Sequence, residues 1–299
     1  MTRHRRKTRI NSGGEPRRIE TQNVRGFAEE SRRKWMTAWR RTPVKERPIA
    51  WLLQETHVQS TDEATALQAE WKRMWGQQYQ HPDQELSYWS VDDSKRGGVA
   101  ILLNPSGTGK ATPWRQRSWT NRCISLQLPN YLLVNVYAPN DRVEREDFFT
   151  GLIAMEWPHS DVVLAGDFNC VQSPALDRLG GRRSGRPESP ALQQSTEELH
   201  LEDALTLSIN ADDEDEGTES ITHFTYWGPE VASRIDRFYL PVSWTSKVQW
   251  IEAAEPAASS DHQRVRLHYR EPGTSRPQKA GTTTGALPNS NSKPSPSAC

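Results

Sequence analysis

Val162-Val-Leu-Ala-Gly-Asp167-Phe-Asn169 is the stretch on which the reading of this 299-residue chain turns. Its apolar run, rich in β-branched valine, reads as a strand. The strand runs directly into an aspartate and an asparagine. Ligands gather at the carboxyl ends of strands in α/β sheets, so a polar pair in that place marks a candidate site. Residues two apart in extended backbone face the same side, which predicts Asp167 and Asn169 on one face.

The same pattern recurs along the chain. Ile49-Ala-Trp-Leu-Leu-Gln54 ends in Glu55, and Leu132-Leu-Val-Asn-Val-Tyr137-Ala-Pro-Asn140 supplies Tyr137 and Asn140. Ser233-Arg-Ile-Asp236 supplies Asp236, and Ser260-Asp261-His262 supplies an adjacent acid and imidazole, which share a site only if the chain turns there. Strands are expected at 19–23, 49–54, 98–103, 123–128, 131–137, 162–166, 224–227, 235–239, 248–253 and 264–269. Helices are expected at 28–41, 61–75, 143–155 and 190–199, the second opened by a Ser60/Glu63 capping box. Trp35 and Trp39, like Trp71 and Trp75, stand four apart and mark buried helix faces. Many strands with interspersed helices and no regular βαβ period indicate an α/β domain with mixed sheets.

Composition bounds this domain. The hydrophobic content is 34% and mean hydropathy is −0.83, so part of the chain is expected not to pack. Residues 1–18 read as a disordered basic tail, 19–270 as one domain, and 271–299 as a Pro/Ser/Thr-rich tail. Lys+Arg and Asp+Glu balance at 38 each, yet residues 1–50 hold fifteen Lys/Arg against five Glu, an excess that attracts polyanions locally. No apolar run is long enough to span a membrane, and no apolar stretch follows the N-terminal charges as in a secretory signal. Three widely spaced cysteines argue against a disulfide framework or a cysteine-rich zinc site. An intracellular, nuclear location is the expectation. Gly107-Thr-Gly109-Lys110 imitates a phosphate loop but has Asn104 where the loop needs glycine and Ala111 where it needs Ser/Thr, so it reads as a turn.

Carboxylates with Asn amides suit a hard divalent cation with oxygen ligands. One imidazole and no obvious nucleophilic Ser or Cys favour direct attack by water. That inventory suits metal-assisted hydrolysis of a phosphodiester.

Taken together in this order, Asn23-Val-Arg25-Gly, Leu-Gln-Glu55-Thr-His57, Arg-Gly-Gly98-Val-Ala, Tyr137-Ala-Pro-Asn140, Gly-Asp167-Phe-Asn169, Arg-Ile-Asp236 and Ser-Asp261-His262 resemble the endonuclease/exonuclease/phosphatase superfamily, the fold of deoxyribonuclease-I-like enzymes. Gln-Glu55-Thr-His57 and Leu176-Asp-Arg-Leu-Gly-Gly181 look most like the endonuclease domain of LINE-type non-LTR retrotransposons. The resemblance covers about residues 19–270. It implies a four-layered α/β sandwich of two mixed β-sheets flanked by helices, and a Mg²⁺-dependent hydrolase, with Mn²⁺ as substitute, that nicks duplex DNA and leaves 3′-hydroxyl and 5′-phosphate ends.

By the same resemblance Glu55 is the principal metal ligand, with Asn23 beside it and Asp261 near the metal. Asp167 aligns or deprotonates the attacking water, Asn169 holds the scissile phosphate, and Tyr137 and Asn140 contact phosphate oxygens. His262, oriented by Asp236, binds the phosphate or acts as general acid/base; which of Asp167 and His262 is the base stays open. Ser233 and Arg178 are assigned to DNA, the arginine in a cluster with Arg182, Arg183 and Arg186 that reads equally as a solvated loop. His57 is taken as a hydrogen-bonded structural imidazole, and the acidic run at 212–216 as an exposed loop.

Two departures bear on substrate. Abasic-site endonucleases of the superfamily often carry Asp where this chain has Arg25, and place an apolar sugar pocket where this chain has His223. Both shift the expectation from DNA repair to the retroelement branch. Alternatives are abasic-site repair, an inositol or lipid phosphatase, and a non-catalytic remnant that binds nucleic acid. No reverse transcriptase follows in this sequence, which leaves a solo domain, a fragment or a truncated copy.

Overall fold

Side-chain alternation along the central strands builds two packed layers at once. In residues 132–137, Leu133 and Tyr137 point into one core while Leu132, Val134 and Val136 point into another, and all six residues are buried. The computed structural model describes residues 16–76, 84–92, 96–181, 187–209, 223–257 and 259–271. The basic run over 1–15, Arg182, Arg183, Arg186, the acidic run at 212–216 and the tail from 272 lie outside the described residues.

In chain order the strands are β1 (Pro16–Asn23), β2 (Ala50–Gln54), β3 (Ser87–Trp89), β4 (Val99–Leu103), β5 (Thr112–Pro113), β6 (Cys123–Gln127), β7 (Leu132–Tyr137), β8 (Val162–Asp167), β9 (Arg178–Gly180), β10 (Leu201–Asp203), β11 (Tyr226–Trp227), β12 (Val231–Ser233), β13 (Asp236–Pro241), β14 (Val248–Ala254) and β15 (Arg264–Arg270). The helices are α1 (Glu29–Arg41), α2 (Thr61–Trp75), α3 (Arg142–Ile153), α4 (Pro174–Asp177), α5 (Pro190–Glu198) and α6 (Ala204–Ile209). One six-stranded sheet runs β14-β15-β1-β2-β4-β3 and the other β10-β13-β8-β7-β6-β5. Each is mixed: β1 pairs parallel with β2, and β7 with β8, among antiparallel neighbours. This is the expected α/β sandwich of two mixed sheets. The β1 strand starts at Pro16, opposite Arg270, three residues before the expected strand. The short strands β3, β5, β9, β10 and β12 carry too few residues to show a period.

Between the sheets pack Ile19, Leu52 and Ile101 from one side and Leu133, Ala165 and Phe238 from the other. Outside the first sheet, α1 and α2 bury Trp35, Trp39, Trp71 and Trp75 with Trp51 of β2, the Trp39 and Trp75 rings 4.5 Å apart. These are packing aromatics, as their helical spacing indicates. Outside the second sheet, Phe149 of α3 and Leu192 of α5 cover Val134 and Leu164. Ser60 caps α2 by accepting the Glu63 amide at 3.1 Å, while Glu63 accepts the Gln59 amide at 2.9 Å.

Polar groups key the sheets together. Gln54, on the inner face of β2, donates through Nε2 to Asn135 Oδ1 across the gap at 2.7 Å and to Thr21 Oγ1 at 2.8 Å. Asn135 returns Nδ2 to the Leu53 and Ala100 carbonyls of the first sheet at 3.0 and 2.8 Å. A second network fastens the small sheet β11-β12-β9 to the second large one. The buried Asp177 carboxylate accepts from Arg234 and Arg237 at 2.7 Å each, and Asp203 pairs with Arg234 at 2.7 Å. Paired this way, the buried charges balance; removing one leaves the others uncompensated.

Asn135→Leu removes donor and acceptor together and leaves the Gln54 amide short of a partner. The expected loss is about 1–3 kcal/mol of stability, read as a lower midpoint in urea unfolding. Burial alone would raise the Asp203 carboxyl, but Arg234 and Arg237 outweigh it and hold the group below its ordinary 3.8. A carboxylate held lower in the folded than in the unfolded chain stabilises fully above the unfolded value and loses that contribution as pH falls through the folded one. The thermal midpoint is therefore expected to fall as pH drops below 3.8, and Asp203→Asn to flatten that part of the slope.

Candidate active site

Strand parity delivers the site. Ile19, Thr21 and Asn23 alternate inward on β1, as do Val163, Ala165 and Asp167 on β8 and Asp236, Phe238 and Leu240 on β13. Asp167 stands in register with Asp236 on one side and Tyr137 on the other. The inward residue at the site end of each strand, last on β1 and β8 but first on the antiparallel β13, is thus polar, and all meet at one end of the inter-sheet core. Glu55 follows Gln54, so simple alternation would point it outward. Its φ of 52°, a left-handed conformation uncommon for a residue with a side chain, turns it back instead.

These groups hold one another. Asn23 donates Nδ2 to Glu55 Oε1 at 2.8 Å and to Asp167 Oδ2 at 2.9 Å, while its Oδ1 accepts the Arg25 amide at 3.0 Å. Tyr137 donates its hydroxyl to Glu55 Oε1 at 2.7 Å. His262 Nδ1 lies 2.9 Å from Asp236 Oδ2 and 3.9 Å from Asp167 Oδ2. Thr225 accepts the Asp236 amide and Ser260 the His262 amide, fixing both backbones.

Electrostatics follow from burial. Asp167 is fully buried, and loss of solvation with Asp236 nearby pushes its carboxyl up to about 7, against the pull of His262 and Asn23. Burial works against a charged His262, yet the Asp236 and Asp167 carboxylates outweigh it and raise the ring to about 10. In this triad His262 is the imidazolium and Asp167 the carboxylate nearest to accepting a proton.

A cleft of about 640 Å³ opens over this floor. Of the sequence-assigned residues, Glu55, Tyr137, Asn140, Asn169, Arg178, Ser233, Asp261 and His262 line it. Asn23, Asp167 and Asp236 are buried beneath. Several assignments change at atomic detail. The Tyr137 hydroxyl is bound to Glu55, not left for a phosphate, and every polar side-chain atom of Asn23 is engaged within the protein, so Asn23 positions Glu55 and Asp167. Asp261 Oδ2 lies 2.6 Å from the Arg25 guanidinium, and Arg178 lies 2.6 Å from Glu188. Asp167 and Asn169 do not share an extended face. Asn169 has φ 48°, its amide folds back to Asp167 Oδ1 at 2.9 Å, and its Nδ2 caps the Ala138 carbonyl at 2.8 Å. His57, read as a structural imidazole, lines the cleft with Nε2 3.7 Å from Glu55 Oε2. Arg96 and Tyr226 also line it. No periodic signal marks Tyr226, whereas His57 and Arg96 already stood inside the Gln-Glu-Thr-His and Arg-Gly-Gly motifs.

Ligand atoms of Asp167, Asp236 and His262 lie within 4.8 Å of one another, but the Asp236 contact occupies His262 Nδ1, so this group shares protons instead of presenting a metal site. The oxygen donors that fit a divalent cation are elsewhere. Glu55 Oε2 accepts no hydrogen bond among the described residues, and Asp261 Oδ1 is buried without a hydrogen-bond partner. Both residues line the cleft, and an all-oxygen set suits a hard cation.

Residues 21–262 match the model of the Endonuclease/Exonuclease/phosphatase family. The chain belongs to that family. Enzymes of that family are divalent-metal-dependent, and membership makes this chain a hydrolase of phosphate esters. Its fold is similar to that of the AP endonuclease LMAP from Leishmania major, with a TM-score of 0.60 at 18% identity over 86% of this chain and 89% of that one. It is also similar to the 3′ phosphatase NExo from Neisseria bound to a product DNA hairpin (TM-score 0.62, 17% identity, 85% of this chain and 100% of that one). The 3′-5′ exonuclease NExo from Neisseria meningitidis gives a TM-score of 0.61 at 17% identity, with the same coverage. No curated protein matches the sequence.

In the metal-free protein the His262 ring is expected to titrate far above its ordinary 6.5, followed by its imidazole proton resonances in NMR. Asp236→Asn removes the nearest carboxylate and lowers that midpoint. A midpoint near 6.5 in the unsubstituted chain contradicts the triad.

Proposed function

We propose that this family member is a Mg²⁺-dependent DNA endonuclease of the retroelement branch, which nicks one strand of a duplex. The observation that carries the reading is the buried Asp167–Asp236–His262 triad set beside Glu55 at the floor of an open, arginine-flanked cleft. An open cleft suits a polymer phosphate, and Arg25, Arg96 and Arg178 on its walls suit a polyanion. The DNA hairpin bound by the Neisseria 3′ phosphatase supports the substrate class. Arg25 and the Leu176–Gly181 motif support the retroelement branch over abasic-site repair. The basic run at residues 1–18 accords with a nuclear site of action.

Glu55 Oε2 and Asp261 Oδ1 are the atoms that would hold Mg²⁺, or Mn²⁺ in its place. A cation there supplies Lewis-acid stabilisation of charge on the phosphate oxygens. The chain's own groups do the rest. Asp167, pushed up to about 7, takes a proton from the water that attacks phosphorus. His262, kept as imidazolium by Asp236, donates to the phosphate as negative charge grows in the transition state. Asn140 and Asn169, on the cleft wall, supply neutral polar groups to the phosphate. Asn23 and Tyr137 hold Glu55 and Asp167 in place.

The test is conversion of supercoiled plasmid to open circles by the full chain with Mg²⁺. Asp167→Ala and His262→Ala are each expected to slow nicking by about 10²–10⁴-fold, and chelator to abolish it. An untouched plasmid with turnover of inositol phosphates would overturn the reading, and cleavage confined to abasic sites would move it to repair.

A further inference from the structure

The outer face of the first large sheet divides in two. Over β2 and β4 the tryptophans of α1 and α2 cover it. Over β14, β15 and β1 it turns charge outward instead. Val265, Leu267 and Tyr269 of β15 enter the inter-sheet core, so parity puts Arg264, Arg266, His268 and Arg270 on the opposite side. Their neighbours in register include Arg18 and Glu20 of β1 and Glu252 of β14. None of these residues lines the cleft.

Three of the arginines converge on one carboxylate. Glu20 is fully buried, and its Oε1 lies 2.8 Å from Arg18 Nε and 3.2 Å from Arg266 Nε. Its Oε2 accepts from Arg264 Nη1 at 3.2 Å and from Trp51 Nε1 at 2.7 Å. Glu252 adds a second, half-exposed carboxylate, 3.3 Å from Arg266 Nη1 and 3.1 Å from His268 Nε2. Burial holds the His268 ring below its ordinary 6.5, so it brings no charge at neutral pH. With Arg270, four guanidiniums therefore stand on this face against two carboxylates. The excess is felt locally. Burial, with Arg266 and Arg18 close by, outweighs Glu20 and holds the Arg264 guanidinium below its ordinary value. Arg264 Nη2 has no partner among the described residues, and Arg18, Arg264 and Arg266 keep 18–24% of their side chains exposed.

Such a face suits a polyanion. Arginine pairs with phosphate through its fixed fork of N–H groups. Outward residues of a strand recur about every 7 Å, the scale of the step between successive phosphates in an extended nucleic-acid strand. The strip from β14 to β1 is about 10 Å across and twists as sheets do. A single strand bends along it, whereas a duplex, stiff over about 150 base pairs, does not. The chain also enters β1 from residues 1–15, which hold five Lys/Arg against one Glu.

We propose that the outer face of β14-β15-β1 is a second nucleic-acid surface, apart from the cleft. It holds a single strand by its phosphates along Arg264, Arg266 and Arg270, with Arg18 beside them. Binding there needs neither the metal nor the catalytic groups, so it stands independently of the nuclease reading.

The test uses the full chain in chelator with a fluorescent oligothymidine of about 15 nucleotides, followed by anisotropy over a range of salt. Arg264→Gln removes one cation and leaves Glu20 its other three donors. It is expected to bind several-fold more weakly, with a slope of log K against log[salt] shallower by about 0.7, the mark of one lost contact on a single strand. Glu252→Gln removes a competing negative charge and is expected to bind several-fold more tightly. Loss of folding weakens binding, so it cannot produce that second result. A duplex of the same length is expected to bind with an affinity that neither substitution changes. The proposal is refuted if the unsubstituted chain does not bind the oligothymidine, or if its affinity fails to fall in Arg264→Gln or to rise in Glu252→Gln. A duplex that responds to both substitutions as the single strand does overturns the assignment to a single strand.

Discussion

A single pair of side-chain amides, Gln54 against Asn135, sets how the two sheets of this protein stand relative to each other. An apolar interface between sheets slides at little energetic cost, because the hydrophobic effect is proportional to area and has no direction. A buried amide that misses its partner is penalised, so the hydrogen bonds among Gln54, Asn135 and Thr21 admit one register only. Each of these residues lies within two positions of a functional group: Thr21 before Asn23, Gln54 before Glu55, Asn135 before Tyr137. The registry of the interior is therefore passed directly to the cleft floor, where Asn23 and Tyr137 bridge both sheets through Glu55 and Asp167.

The floor gathers carboxylates that would repel one another in isolation. Three features make the grouping tolerable. Asn23 donates to Glu55 and Asp167, the His262 ring lies between Asp167 and Asp236, and Arg25 pairs with Asp261. Burial then sets the protonation states, raising Asp167 towards neutrality while the carboxylates keep His262 charged. The result is an acceptor and a donor side by side beneath an open cleft, an arrangement suited to moving a proton off water while stabilising charge on phosphate. The second buried network, Asp177 and Asp203 with Arg234 and Arg237, serves a different end. It seats the small sheet bearing Arg178, Tyr226 and Ser233 as one wall of that cleft.

Much of this was legible in the sequence. Long apolar strands announce themselves, and each carries its polar residue at the end where the site forms, so Asp167, Asp236 and His262 stood out. The tryptophans spaced four apart in residues 35–75 read correctly as packing faces, because burial of one helix stripe is a local pattern. Short strands such as Val231–Ser233 did not show, since three residues hold no period and owe their form to pairing across the sheet. The expectation that Asp167 and Asn169 share a face failed for a related reason. It assumed extended backbone, whereas left-handed geometry at Asn169 curls the chain back on Asp167.

Sequence alone determined the chemistry available: oxygen donors and two imidazoles in the ordered motifs, and strands that carry polar residues at one end. The tertiary structure decided what each group does with its capacity. Tyr137 turns to Glu55, Asn23 is absorbed in positioning, Asp261 takes Arg25, and His57 enters the cleft. These choices depend on partners 32 to 236 residues away. Side-chain type and spacing fix which hydrogen bonds and ion pairs are possible, but only the packing of one sheet on the other, with its few positive-φ turns, brings those distant partners within bonding distance and so selects among them.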